Sequence, residues 1–222
     1  MKIALITGAN KGLGLACCKE LKKRGYQVVL SSRKEEGRKI ANELDIDFVH
    51  LDVTSDQSIR SAIDYIAHKY GKLDLLINNA AILLDRTENA TRKSITETFD
   101  TNVNGPYLLC EAVGPLMKKQ GKGRIVNVSS ESGCLAHMGS GYPSYSISKT
   151  ALNAVTRIYA SLYHPYNILV NSVCPGWVKT DMGGAQAPKS LEEGIDTILW
   201  AAELPDNGPT GRFCQNRKEL PW

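Results

Sequence analysis

The chain has 222 residues, 42% of them hydrophobic and 23% charged, with 27 Lys and Arg against 23 Asp and Glu. That is one domain with enough apolar content to build its own core, which excludes a disordered chain or a disulfide-stapled miniprotein. No apolar run approaches the roughly 20 residues of a membrane span, and a net charge of +4 is too even a balance to mark a nucleic-acid or membrane partner.

The opening residues Met1–Gly8 hold only a short apolar run that ends in a Gly-rich turn, so they read as neither signal peptide nor anchor. A soluble, cytoplasmic protein is expected. Lys19, Lys22, Lys23 and Arg24 cluster where a helix exposes them and read as a solvated face. Six cysteines show neither C-x-x-C nor zinc spacing. Their even number permits disulfides, but without a secretory signal reduced thiols are expected. No metal site is expected.

In chain order, Ile3–Thr7 reads as a buried strand and Gly12–Arg24 as a helix. Val28–Ser31 is a strand, Glu35–Leu44 a helix and Asp47–Leu51 a strand. Ser55 has the character of an N-cap for a helix reaching Tyr70. Leu73–Ile77 is a strand, and one long helix is predicted over Glu97–Lys118. Arg124–Ser129 is a strand, Tyr145–Tyr163 a helix and Ile168–Val173 a strand. Leu191–Ala202 is the last helix, with a short strand near Arg212–Cys214. Gly183–Ser190 is the one insertion-like loop. This alternation predicts a single α/β domain: a doubly wound Rossmann fold, with a mostly parallel sheet of about seven strands covered by helices on both faces.

Thr7-Gly8-Ala9-Asn10-Lys11-Gly12-Leu13-Gly14 joins the first strand to the first helix. Glycines there let backbone approach a phosphate, and the helix N-terminus offers free N–H donors. The pattern is neither a P-loop nor G-x-G-x-x-G. It resembles the dinucleotide turn of the short-chain dehydrogenases and reductases. Further motifs of that family follow in order: Asn78-Asn79-Ala80-Ala81, Asn102, Asn127-Val128-Ser129-Ser130, Tyr145-Ser146-Ile147-Ser148-Lys149 and Pro175-Gly176-Trp177-Val178-Lys179-Thr180. Met182-Gly183-Gly184 and the closing Gly211-Arg212-Phe213 and Pro221-Trp222 resemble its carbonyl-reductase branch.

Reducing a carbonyl needs a hydride at carbon and a proton at oxygen. A phenol supplies a proton, but its ordinary pKa is about 10. A lysine four residues on lies over the same helix face, and its cation is expected to lower that pKa. Tyr145 and Lys149 have this spacing, and so do Tyr65 and Lys69. Context favours Tyr145, which follows a loop at a strand's C-terminal end, whereas Tyr65 lies mid-helix among polar residues. Ser130 is expected to hydrogen-bond the substrate carbonyl. The family's usual spacing to the tyrosine would select Ser132 instead, and the Asn-Val-Ser-Ser motif selects Ser130. The resemblance gives Asn102 the task of bending its helix and holding a water that relays protons to Lys149.

The second strand ends Ser31-Ser32-Arg33-Lys34, with no acid to bind a ribose 2′-hydroxyl before Glu35. Arg33 can clamp a 2′-phosphate, and Lys11 adds a second charge, so NADP(H) is the expected cofactor. By resemblance, Gly8, Asn10, Gly12, Leu13 and Gly14 receive its phosphates. Asp52 and Val53 frame the adenine, and Asn79, Ala80 and Ala81 offer backbone near the cofactor. Pro175, Gly176, Val178 and Thr180 hold the nicotinamide. Ala81 stands where the family usually has glycine, which only a positive-φ requirement would forbid.

The expected activity is NADPH-dependent reduction of a small ketone or aldehyde. NAD-dependent alcohol oxidation on the same fold and a dinucleotide sensor without turnover are the alternatives. A homodimer or homotetramer through the long helices is expected, because the loop before Tyr145 is too short for the insertion that keeps some carbonyl reductases monomeric. Many family members are longer after Thr180, so the substrate loop, about 182–190, is expected to leave the pocket open. His137, Cys134, Cys174 and Trp177 lie near the site by sequence, with no pattern that assigns them chemistry.

Overall fold

A computed structural model describes residues 1–85 and 90–222. The strands are β1 (Ile3–Ile6), β2 (Gln27–Ser32), β3 (Asp47–His50), β4 (Leu75–Asn78), β5 (Gly123–Val128), β6 (Ile168–Cys174), β7 (Phe213–Gln215) and β8 (Lys218–Glu219). They form one eight-stranded sheet in the order β3-β2-β1-β4-β5-β6-β7-β8, parallel throughout except for the β7–β8 pair. The sequence predicts about seven. The addition is β8, a two-residue strand turned back by Asn216 and Arg217, both at positive φ (50° and 61°). Two such residues make the tight turn whose twist suits a hairpin. A strand this short and charged leaves no periodicity to read.

The helices are α1 (Gly12–Lys23), α2 (Glu36–Glu43), α3 (Asp56–Tyr70), α4 (Arg92–Phe99), α5 (Gly105–Gln120), α6 (Pro143–Tyr163) and α7 (Leu191–Ala202). Successive strand residues point to opposite faces, so β1 divides its side chains between two cores. Ile3 and Leu5 pack with residues of α3, α5 and α6, while Ala4 and Ile6 pack with residues of α1, α2 and α7. Both faces are thus covered, as the apolar runs require. Ser55 does cap α3, accepting from the Ser58 N–H.

The long helix expected over Glu97–Lys118 is corrected. Between α4 and α5 the backbone widens into a π-helical turn, Asp100–Asn104. Pro106 supplies the reason. It has no N–H to give the Asn102 carbonyl four residues back, and its ring would crowd that carbonyl. The Gly105 N–H reaches back to Asp100 instead. Gly105 also packs closely: a Cβ there would lie 2.8 Å from the Val53 carbonyl oxygen.

From β3 at the sheet edge the chain crosses to β4, on the other side of β1. Strand order reverses there, so the loops after β1 and β4 diverge above a crevice at the C-terminal edge. Doubly wound sheets bind their ligands in such a crevice.

Candidate active site

The crevice begins with the Gly-rich turn. Gly8 and Gly12 have φ of 60° and 56°. A Cβ on Gly8 would lie 2.9 Å from the Ala80 Cα, and one on Gly14 would lie 2.6 Å from Asn79 Nδ2. Asn79 Nδ2 donates to the Thr7 and Gly8 carbonyls at 2.8 and 3.2 Å. Thr7 Oγ1 accepts the N–H groups of Asn79 and Ala80, each at 3.0 Å. The Asn79 side chain is therefore committed to shaping the turn. Ala81 is not at positive φ, so its departure from glycine strains nothing. Helix α1 starts with no side-chain cap and no acid in its first turn. Its leading N–H groups and positive dipole end, beside Asn10, Gly12 and Leu13, are left for an anion. A dinucleotide pyrophosphate fits this cradle.

Arg33 is exposed at the end of β2. Burial pushes the Asp52 carboxyl up, but N–H and O–H donors from Thr54 and, to a lesser degree, the Arg33 charge hold it below its ordinary range. Val53 is buried beside it. Lys11 is placed differently from the expectation that it serves a phosphate. Its Nζ pairs with Asp181 at 2.6 Å, both side chains being largely exposed. A solvent-exposed pair of this kind is weak, but it competes for the cation.

On the opposite wall, the turn 175–180 follows β6. Val178 forms an isolated parallel bridge with Lys189: Lys189 donates to the Trp177 carbonyl at 3.2 Å, and Lys179 donates to the Lys189 carbonyl at 2.9 Å. That pattern uses the groups flanking Val178. Among the described residues the Val178 N–H itself has no acceptor. A buried N–H without a partner is rare unless a ligand supplies one. Pro175, Gly176 and Thr180 complete the turn, with Thr180 Oγ1 accepting the Gly183 N–H at 2.9 Å.

Helix α6 brings Tyr145 and Lys149 between these walls. Lys149 is 2% exposed, and its Nζ donates to the Val128 carbonyl at 2.8 Å. Burial lowers its pKa to about 8. The Tyr145 phenol is pushed up to about 12 by burial, against a side-chain hydrogen bond with Ser130. Loss of water around the phenol is the largest cause of this shift. The bond also favours Ser130 over Ser132. Ser132 meets the site through its backbone, its N–H donating to Ser130 Oγ at 3.2 Å. The loop after Ser130 is pinned to α6 at Gly133, whose carbonyl accepts from Thr150 and Asn153.

Asn102 is fully buried in the π-helical turn. Its amide exchanges two 2.9 Å hydrogen bonds with the Ile82 backbone and donates to Ser148 Oγ at 3.0 Å. Ser148 in turn donates to the Tyr145 carbonyl at 2.7 Å. The Asn102 side chain thus ties the loop after β4 to the first turn of α6.

Tyr65 and Lys69 sit on the surface, where Lys69 Nζ donates to the Tyr65 hydroxyl at 3.1 Å and pairs with Asp47 at 2.6 Å. Spacing alone made both tyrosines candidates, and the fold puts only Tyr145 in the crevice.

Sequence reading missed the buried chain Asn78–Asn127–Thr156–Ser172, with contacts of 2.7–2.8 Å linking β4, β5, α6 and β6. Asn78 and Asn127 belong to recognised motifs, but their pairing is long-range. Cys134 and Cys174 are buried, and burial pushes the Cys174 thiol up, as expected of an unreactive cysteine. His137 lies 4.0 Å from Glu131 on the exposed loop before α6. Trp177 is exposed and donates its Nε1–H to the Gly183 carbonyl at 2.8 Å.

The sequence profile of the short chain dehydrogenases matches residues 2–190. The chain belongs to the short-chain dehydrogenase family. This short-chain dehydrogenase is 34% identical to the NADPH carbonyl reductase 1 of Mus musculus over 273 residues, covering 99% of this chain and 98% of that protein. Its identity to the Homo sapiens counterpart is 32%, covering 99% and 98%. Both alignments are longer than the chain itself, so these relatives carry residues with no counterpart here. Among solved structures, the NADPH-bound carbonyl reductase from chicken fatty liver superposes with a TM-score of 0.91 at 29% identity, over 100% of both chains. The carbonyl reductase Sniffer of D. melanogaster gives 0.89 at 28%, over 100% of this chain and 99% of that one. Among the described residues no helix is long and apolar enough to cross a membrane.

Proposed function

We propose that this short-chain dehydrogenase reduces a ketone or aldehyde to an alcohol with NADPH. The reading rests on Tyr145 and Lys149, gathered with Ser130 on one side of a glycine-lined dinucleotide cradle. The names of its relatives, NADPH carbonyl reductases, agree with it.

NADPH, when bound, supplies the hydride. Gly8, Asn10, Gly12, Leu13 and Gly14 would approach its phosphates, and Arg33 would take the 2′-phosphate. Asp52 and Val53 would border the adenine, Ala80 and Ala81 the ribose, and the turn 175–180 would hold the carboxamide. Tyr145 stays protonated at neutral pH because burial raises its pKa, and it donates its Oη proton to the substrate oxygen. Lys149, with a pKa near 8, can hold and release a proton at working pH and so resupply the phenol. Ser130 Oγ accepts the Ser132 N–H and shares a hydrogen bond with the Tyr145 phenol, which supports its donating to the same substrate oxygen. Asn102 positions the first turn of α6 through Ser148.

Leu135, Tyr142, Trp177 and Met182 stand exposed on the loops after β5 and β6. They support an open pocket and a broad range of carbonyl substrates. Tyr107, Ile158 and Leu162 are exposed on α5 and α6 and support a homodimer or homotetramer through these helices. Light scattering that found only monomer would remove that assembly.

The deciding assay follows consumption of NADPH and of NADH against a panel of ketones and aldehydes. NADPH is expected to be preferred. Faster turnover with NAD(H) would favour the alcohol dehydrogenase reading, and cofactor binding without turnover would leave a sensor.

A further inference from the structure

The Lys189 side chain has no part in the reaction outlined above, yet it reaches one wall of the site. Its Nζ donates to the Pro175 carbonyl at 3.3 Å and to Asn216 Oδ1 at 2.7 Å. Its stem crosses Gly176 so closely that a Cβ there would lie 2.9–3.1 Å from Nζ, Cε and Cδ. Gly176 has φ of 80°, a backbone conformation that favours glycine, and the lysine stem lies over the space a side chain would take.

The far anchor of this lysine is itself fixed. Asn216 and Arg217 form the left-handed tip of the β7–β8 hairpin, a conformation that costs a non-glycine residue energy. Arg217 is held there by an ion pair to Asp196 of α7, and its N–H donates to Thr197 Oγ1 at 3.3 Å. Asn216 is thus a post braced against α7, and Lys189 ties the turn to it. The backbone of the same lysine bonds on both sides of Val178. Side chain and backbone together hold residues 175–179 while the Val178 N–H stays without a protein acceptor.

We propose that Lys189, braced by Asn216, is a positioning residue that sets the turn 175–180 to receive the nicotinamide half of the cofactor. The proposal rests on reading that turn as the nicotinamide site. It predicts an effect confined to that half of the ligand, which a surface lysine or a general loss of folding would not produce.

The test compares NADPH with 2′,5′-ADP, which lacks the nicotinamide, by titration calorimetry on folded protein checked by its melting temperature. Lys189→Met keeps most of the stem and removes the cation. It is expected to weaken NADPH roughly tenfold, the loss of one charged hydrogen bond, and to leave 2′,5′-ADP unchanged. Lys189→Arg is expected to restore part of the loss, and Asn216→Gly, which keeps the left-handed backbone, to reproduce part of it. Unchanged NADPH affinity in Lys189→Met, or equal weakening of both ligands, overturns the clamp. Hydrogen exchange on the wild-type protein tests the underlying reading separately. Amides 176–180 should be protected by NADPH and not by 2′,5′-ADP. Without that difference, the nicotinamide assignment falls and the clamp with it.

Discussion

Lys149 Nζ lies 5.6 Å from the centre of the Tyr145 ring and donates to the Val128 carbonyl at 2.8 Å. The end of strand β5 thus fixes the height of the cation beneath the phenol. Both groups lose water, and burial drives their pKa values in opposite directions, to about 8 for the lysine and about 12 for the tyrosine.

The buried lysine leaves a signature in stability. Between pH 8 and 10.5 the unfolded chain keeps the Lys149 proton and the native protein releases it. The unfolded state then binds more protons, so stability rises with pH across this window. The shift corresponds to on the order of 3 kcal/mol, present as a cost below pH 8 and relieved above it. Denaturant unfolding of wild type and Lys149→Met from pH 7 to 10.5 should show the wild type gaining on the variant. Parallel curves would show that Lys149 titrates normally in the native protein.

Tyr145→Phe should lower kcat by about 10²- to 10⁴-fold, the usual worth of a positioned general acid. Tyr65→Phe should leave kcat unchanged, although its hydroxyl is the one that receives a lysine Nζ directly. Steady-state kinetics of the two variants separate burial in the crevice from mere sequence spacing.

Ser130 and Ser132 can be separated in the same way. Ser132 touches Ser130 only through its backbone N–H, which an alanine retains. Ser132→Ala is expected to change kcat little, and Ser130→Ala to reduce it about 10²- to 10³-fold through loss of a donor to the developing oxyanion. Equal effects in a kcat comparison would reverse the assignment.

For the 2′-phosphate, Arg33→Ala should weaken NADPH by roughly tenfold or more while leaving NADH nearly unaffected. Lys11→Ala should do less, because Lys11 is already paired with Asp181. Binding titrations with both cofactors check the order of the two effects.

Local chemistry decided much of this protein before any folding. The Gly-rich turn, the strand-helix alternation and the Tyr145–Lys149 spacing depend on residues within a few positions of one another, so they are readable from the chain. Pro106 was readable too, but its consequence, a widened turn that buries Asn102 against Ile82 and Ser148, needs the partner loops in place. Context along the chain already favoured Tyr145 over Tyr65, and the tertiary structure adds the physical difference between them, a buried phenol against an exposed surface pair. Burial raises the Tyr145 pKa, Asp181 captures Lys11, and the β7–β8 hairpin carries Asn216 to Lys189. Each depends on groups distant in sequence, and desolvation and charge pairing act through space rather than along the chain.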